Sequence, residues 1–240
     1  MVTTCLPAAE ILPLLDSIAR DDAPLRLIKP FDGILLNQYA QIIAINQDRI
    51  LVQIPDIRVG FTTGSFIFLH SPSLTRPVMA RLVNANIMDS TLLLTDCSYQ
   101  DEDWKERHCE RVRPKEPVYV TLQHEKTSLR TPLDDISING IGILTFKMIE
   151  KGFKAKSGSD VRLDFQLSPD YQRIALKGTI IYQHTISKKL VKIGMCVAPN
   201  KQQIAALAHY VSHRKEEINE EINQLFLEAC RPYSVEAQFF

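Results

Sequence analysis

Short β-rich segments, punctuated by turn residues, recur along most of the 240-residue chain, and no long alternation of strands with helices interrupts them. In the first half the segments are Ile42–Ile45, Arg49–Ile54, Ser65–Leu69, Val78–Val83 and Thr91–Thr95. Asn46-Gln47-Asp48, Gly60, Gly64 and Ser71-Pro72-Ser73 separate them. In the second half they are Val118–Leu122, Leu129–Ile136, Gly140–Phe146, Asp160–Leu167, Ile174–Gln183 and Leu190–Val197. Many short strands with brief turns predict closed antiparallel sheets, because closure removes the exposed edges that open sheets present.

Two stretches carry helical spacing instead. Ile11, Leu14, Leu15 and Ile18 predict a helix within Ala8–Arg20, which Pro13 should shorten or start. Ile204, Leu207, Ala208 and Val211, then Ile218, Ile222, Leu225 and Phe226, predict a long helix from Lys201 to about Ala229, followed by a frayed tail. The expected fold is therefore mainly β: two small antiparallel β-barrels with a short N-terminal and a long C-terminal helix.

Between the barrels lies DEDWKERHCERVRPKE, residues 101–116, dense in both charge signs and poor in apolar residues. It reads as a connector. The expected division is a first barrel with its leading helix at 1–104, a linker at 105–116, a second barrel at 117–200, and the helix and tail at 201–240.

Charge narrows the function. Lys plus Arg and Asp plus Glu each number 28, so the net charge is zero, and a protein that coats DNA or RNA is not expected. An anionic ligand would need a local cluster of cations. No apolar run approaches the ~20 residues needed to span a bilayer. The start of the chain lacks the pattern of a secretory signal. Five scattered cysteines without a C-x-x-C pair speak against a disulfide framework or zinc site and fit a reducing cytoplasm.

Catalytic and metal signatures are missing. There is no G-x-S-x-G elbow, Walker loop, G-x-G-x-x-G turn or H-E-x-x-H helix, so neither an enzyme nor a cofactor is expected. His209 and His213 are four apart on the last helix but have no spaced third ligand, and they read as two solvated histidines. The acidic run Asp101–Asp103 reads as a solvated linker.

Two patterns carry more information. Arg107, Arg111 and Arg113 lie within seven residues of one another in the connector, followed by Lys115, and could converge on one anion. Arginine suits that task because its planar fork donates paired hydrogen bonds to phosphate and its face stacks on purines. Alone, such a cluster is equally a set of solvated ion pairs with Glu102, Glu106 and Glu110. Downstream, at the end of a predicted strand, Asp135 and Ser137 bracket a turn that Gly140 permits. A carboxylate there can accept from a guanine's ring N–H and amine. Alone, this is also an ordinary hairpin turn.

Together, Arg107-His108-Cys109-Glu110-Arg111 before a barrel and Asp135-Ile136-Ser137-Ile138-Asn139-Gly140 at the end of its second strand form R-x-x-x-R and D-x-S-x-x-G motifs. The pair resembles the PilZ family of bacterial cyclic di-GMP receptors. Val112 after the second arginine, and Lys192-Ile193-Gly194-Met195-Cys196-Val197 as a glycine-containing last strand before a helix, agree with that likeness. A β-rich domain ahead of it resembles the two-domain, YcgR-like flagellar brake type.

The resemblance implies that Arg107 and Arg111 grip phosphate or guanine and that Asp135 and Ser137 line the guanine site. His108 and Asn139 lie within the motifs, Gly140 is the turn glycine, and Arg113 is a possible auxiliary cation. It further implies an effector in which cyclic di-GMP draws the linker onto the second barrel and reorients the domains. The liganded form would regulate flagellar motility through motor proteins, from the cytoplasm or recruited to the flagellar basal body, as a monomer or homodimer. The alternative is a nucleotide-independent PilZ-like adaptor.

Overall fold

The computed structural model describes residues 8–55, 63–100, 109–147 and 152–229. A helix, α1 (Ala8–Arg20), is followed by six strands: β1 (Leu25–Phe31), β2 (Ile34–Asn46), β3 (Arg49–Gln53), β4 (Phe66–His70), β5 (Val78–Asn86) and β6 (Thr91–Tyr99). They close into an antiparallel barrel in the order β1-β2-β3-β6-β5-β4. Leu27, Ile50, Val52, Ile67, Leu69, Leu82, Leu92 and Leu94 point inward and form its buried core together with Ile11, Leu15 and Ile18 of α1.

Six more strands, β7 (Tyr119–His124), β8 (Thr127–Ile136), β9 (Gly140–Phe146), β10 (Asp160–Phe165), β11 (Ile174–Thr185) and β12 (Leu190–Val197), close a second barrel in the order β10-β11-β12-β9-β8-β7. A long helix, α2 (Lys201–Ala229), ends the described chain. Leu207, Val211, Ile218 and Ile222 along it are buried. The architecture is the one expected: mainly β, two closed six-stranded barrels, a short helix first and a long helix last. The chain groups into two compact units: one of Met1–Phe31, Leu35–Glu106 and Asn219–Phe240, the other of Asp32–Ile34 and Arg107–Ile218.

Three local expectations change. α1 runs through Pro13 rather than starting near it. Proline deprives the Ala9 carbonyl of its helical donor, but burial of Ile11, Leu15 and Ile18 holds the helix together across that gap. β1 was not legible as a strand, because Arg26, Lys29 and Pro30 dilute its Leu25–Leu27 alternation, yet its register against β4 (Leu27 opposite Leu69) closes the first barrel. β2 begins at Ile34, well before Ile42, because its first half is half-exposed and lacks a clean apolar period. The expected tail and the acidic run Asp101–Asp103 lie outside the described residues.

Candidate functional site

The second barrel gathers the motif residues on the outer face of β8, β9 and β12. In β12, Val191, Ile193, Met195 and Val197 point inward, so Lys192, Gly194 and Cys196 face out. Opposite them on β9, Gly194 pairs with Gly142 and Cys196 with Gly140, while Gly142 pairs in turn with Asp135 of β8. The register of β8 slips between Leu133 and Asp135, a bulge that turns two consecutive acids toward the same lysine. Lys192 Nζ donates to Asp134 Oδ2 and to Asp135 Oδ2, each at 2.7 Å.

The described part of the connector reaches this face through a backbone bridge. Val112 N donates to Ile136 O and Ile136 N to Val112 O, both at 2.9 Å, and the Val112 side chain is fully buried. Extended backbone alternates its side chains, so burial of Val112 sends Arg111 and Arg113 to the opposite side. Arg111 Nη1 donates to Asp135 Oδ1 at 3.0 Å, and Arg113 Nη2 to Asp134 Oδ1 at 3.0 Å. Arg214 of α2 donates from Nε to the Arg113 carbonyl at 3.0 Å.

Arg111, Arg113 and Lys192 thus share the buried carboxylates of Asp134 and Asp135, and Arg113 Nη1 also lies 3.9 Å from Asp32 Oδ1. Burial would push the Asp135 carboxyl up, but Lys192 and Arg111 outweigh it and hold the group below its ordinary value. Burial would likewise lower Lys192, yet Asp135 and Asp134 raise it above its ordinary value. Both groups are charged at neutral pH. Asp135 can therefore only accept hydrogen bonds, and the guanidinium beside it can only donate.

Ser137 closes the turn. Its amide donates to Gly140 O at 2.8 Å and its buried hydroxyl to the same oxygen at 3.2 Å, with Asn139 Oδ1 at 3.4 Å. A Cβ added to Gly140 would stand 3.0 Å from the Ser137 hydroxyl and 3.3 Å from Arg111 Nη2, so the missing side chain is what lets the guanidinium lie over the turn.

The structure brings Arg111, Asp135, Ser137, Asn139 and Gly140 together, with Arg113 one carboxylate away. Arg107 and His108 lie outside the described residues. Asp134 and Lys192 belong to the cluster although the sequence did not single them out as site residues; a lone lysine in the apolar strand Leu190–Val197 is the signal that could have exposed it. His209 and His213 stack with ring centroids 6.5 Å apart, and His209 Nδ1 lies 2.9 Å from the Tyr171 hydroxyl. Among the described residues no group of three or more His, Cys, Asp or Glu could hold a metal ion, and no helix is long and apolar enough to cross a membrane.

Residues 105–213 match the family model described as the PilZ domain, a span that takes in both arginine positions and the whole second barrel. This segment is a PilZ domain.

No curated protein matches the chain. Several solved structures do. The Bacillus subtilis inhibitor of motility (MotI/DgrA) is 16% identical, with 81% of this chain and 96% of that one covered and a TM-score of 0.43. K. pneumonia MrkH, in its complex with c-di-GMP, is 13% identical, with 90% and 97% covered and a TM-score of 0.46. YcgR from Escherichia coli, also in complex with c-di-GMP, is 13% identical, with 92% and 96% covered and a TM-score of 0.45. Within the PilZ domain described here, Arg111 supplies the second arginine of the R-x-x-x-R motif, and Asp135, Ser137 and Gly140 fill D-x-S-x-x-G.

Proposed function

We propose that the chain is a cyclic di-GMP-binding effector and not an enzyme, with the nucleotide held on the outer face of the PilZ barrel. One observation carries this reading: Arg111 from the connector and Asp135 from the barrel, far apart in sequence, meet at 3.0 Å beside the turn of Gly140. A guanine edge presents both acceptors (O6, N7) and donors (ring N–H, amine), so a guanidinium beside an ionised carboxylate offers complementary partners to it. Arg107 and Arg111 would grip phosphate or stack on the base, and Asp135 and Ser137 would line the guanine site. His108 and Asn139 would flank it, and Arg113 would add positive charge from its carboxylate partner.

The connector from Val112 onward is already pinned to β8, so the ligand would exchange ion pairs of Arg111 and engage Arg107 rather than capture the whole linker. Ligand binding would then reset the angle between the first domain (1–104) and the PilZ barrel (117–200) through the linker (105–116), with 201–240 as the terminal helix and tail. The liganded form would act on a protein partner, in motility through the flagellar motor, from the cytoplasm or the basal body. A ligand can drive such a change only through contacts that one arrangement has and the other lacks.

Isothermal titration with cyclic di-GMP tests binding: micromolar or tighter affinity is expected, and no heat at high concentration identifies a nucleotide-independent adaptor instead. Small-angle scattering tests the switch: the profile should change on saturation, and an unchanged profile removes the reorientation while leaving binding intact.

A further inference from the structure

A concavity lies on the outer face of the same barrel, over β10, β11 and β12, with a volume of about 780 Å3. That is the size of a small-molecule site. Its floor is made of small side chains, Ala175 and Cys196 among them, and its charged lining is Asp160, Arg162 and Lys177. Arg162 and Lys177 stand directly opposite each other in the β10–β11 ladder, both exposed. Like charges directly opposite on one face of a sheet repel.

Next to them on the same ladder, Arg173 pairs with Asp164, and within the lining the Asp160 carboxylate accepts from the Thr179 hydroxyl at 2.8 Å. Arg162 faces neutral Gln123 on its other side. Among the described residues, neither Arg162 nor Lys177 has a side-chain hydrogen bond or ion pair. The lining keeps one net positive charge even with Asp160 included.

We propose that this cavity is an anion site for a phosphate-bearing small molecule, adjoining the motif cluster where Cys196 lies opposite Gly140 but lined by other side chains. The Arg162 fork would take two phosphate oxygens and the Lys177 ammonium a third, and the bound anion would replace the repulsion between them by attraction. The inference does not rest on cyclic di-GMP binding, since none of the motif residues lines the cavity.

The test uses the full chain and inorganic pyrophosphate, with adenosine monophosphate as a second probe. Pyrophosphate should bind wild type and Arg111→Ala with equal affinity, and Arg162→Gln/Lys177→Gln about tenfold or more weakly. It should also slow alkylation of Cys196, an exposed thiol on the cavity floor, as followed by peptide mapping. Without ligand, the double variant should melt no lower than wild type, because it removes a repulsion, so loss of fold cannot mimic loss of the site.

Tighter binding of the mononucleotide than of pyrophosphate identifies a nucleotide site, and equal binding a free-phosphate site. Equal pyrophosphate affinity for wild type and the double variant, loss of binding in Arg111→Ala, or unprotected Cys196 at saturation overturns the proposal.

Discussion

Gly142 of β9 lies directly opposite Asp135 of β8, and the Asp135 carboxylate occupies the space a side chain at Gly142 would need. A Cβ there would stand 2.7–2.8 Å from the three carboxylate atoms, so the glycine is what allows the acid to lie flat across the neighbouring strand, within reach of Arg111 and Lys192.

Gly142→Ala should therefore move the carboxylate without touching the barrel's core. The expected cost is about 1–3 kcal/mol of stability and roughly a tenfold weaker affinity for cyclic di-GMP. Chemical denaturation and calorimetric titration read the two effects separately. Unchanged binding by a folded variant would show that the position of Asp135 is irrelevant to the ligand.

Arg111→Ala removes a charged donor from the ligand and the nearest cation from Asp135. Losing one charged contact to a bound phosphate or guanine should weaken binding by about 1.5–3 kcal/mol, ten- to hundredfold. Arg111→Lys should recover only part of this, since an ammonium keeps the charge but not the paired donors. Titration of the three proteins side by side measures it.

Lys192→Met removes an ammonium that bonds both carboxylates. Arg111 and Arg113 remain as partners, so the expected loss is about 2–3 kcal/mol rather than the larger cost of a fully unpaired buried charge. The pH dependence has a definite sign. Asp135 is held below 3.8, so its contribution is present above that pH and lost as pH falls through the lower folded value. Lys192 is held above 10.5, so its contribution is full below that pH and lost as pH rises past it. In the variant the alkaline loss disappears and the acid loss becomes shallower, as denaturation curves across both ranges would record.

Pro13→Ala should stabilise the first unit. Alanine restores the donor to the Ala9 carbonyl and removes the ring from the helix interior, a gain of up to ~3 kcal/mol. Thermal melting followed by circular dichroism checks it. A lower melting temperature would mean that the ring's packing in α1 outweighs the missing bond.

The amino-acid sequence by itself determined the β-barrel architecture, the long last helix and the two motifs. These are local properties: Ile141, Ile143, Val191 and Ile193 alternate because a strand repeats every two residues, and Ile204, Leu207 and Val211 recur because a helix repeats every 3.6. The spacing of the two motifs, taken together with the family they resemble, was enough to mark Arg111 and Asp135. What it could not show was their meeting, which depends on Val112 pairing with Ile136 across the connector.

Only the tertiary structure decided that Asp134 and Lys192 join the cluster, that Gly142 makes room for Asp135, and that Arg162 faces Lys177. Each depends on strand register, and register is set by how six strands close on one another rather than by any one of them. A one-residue bulge in β8 moved Asp134 to the charged face, and no period in the sequence announces such a slip.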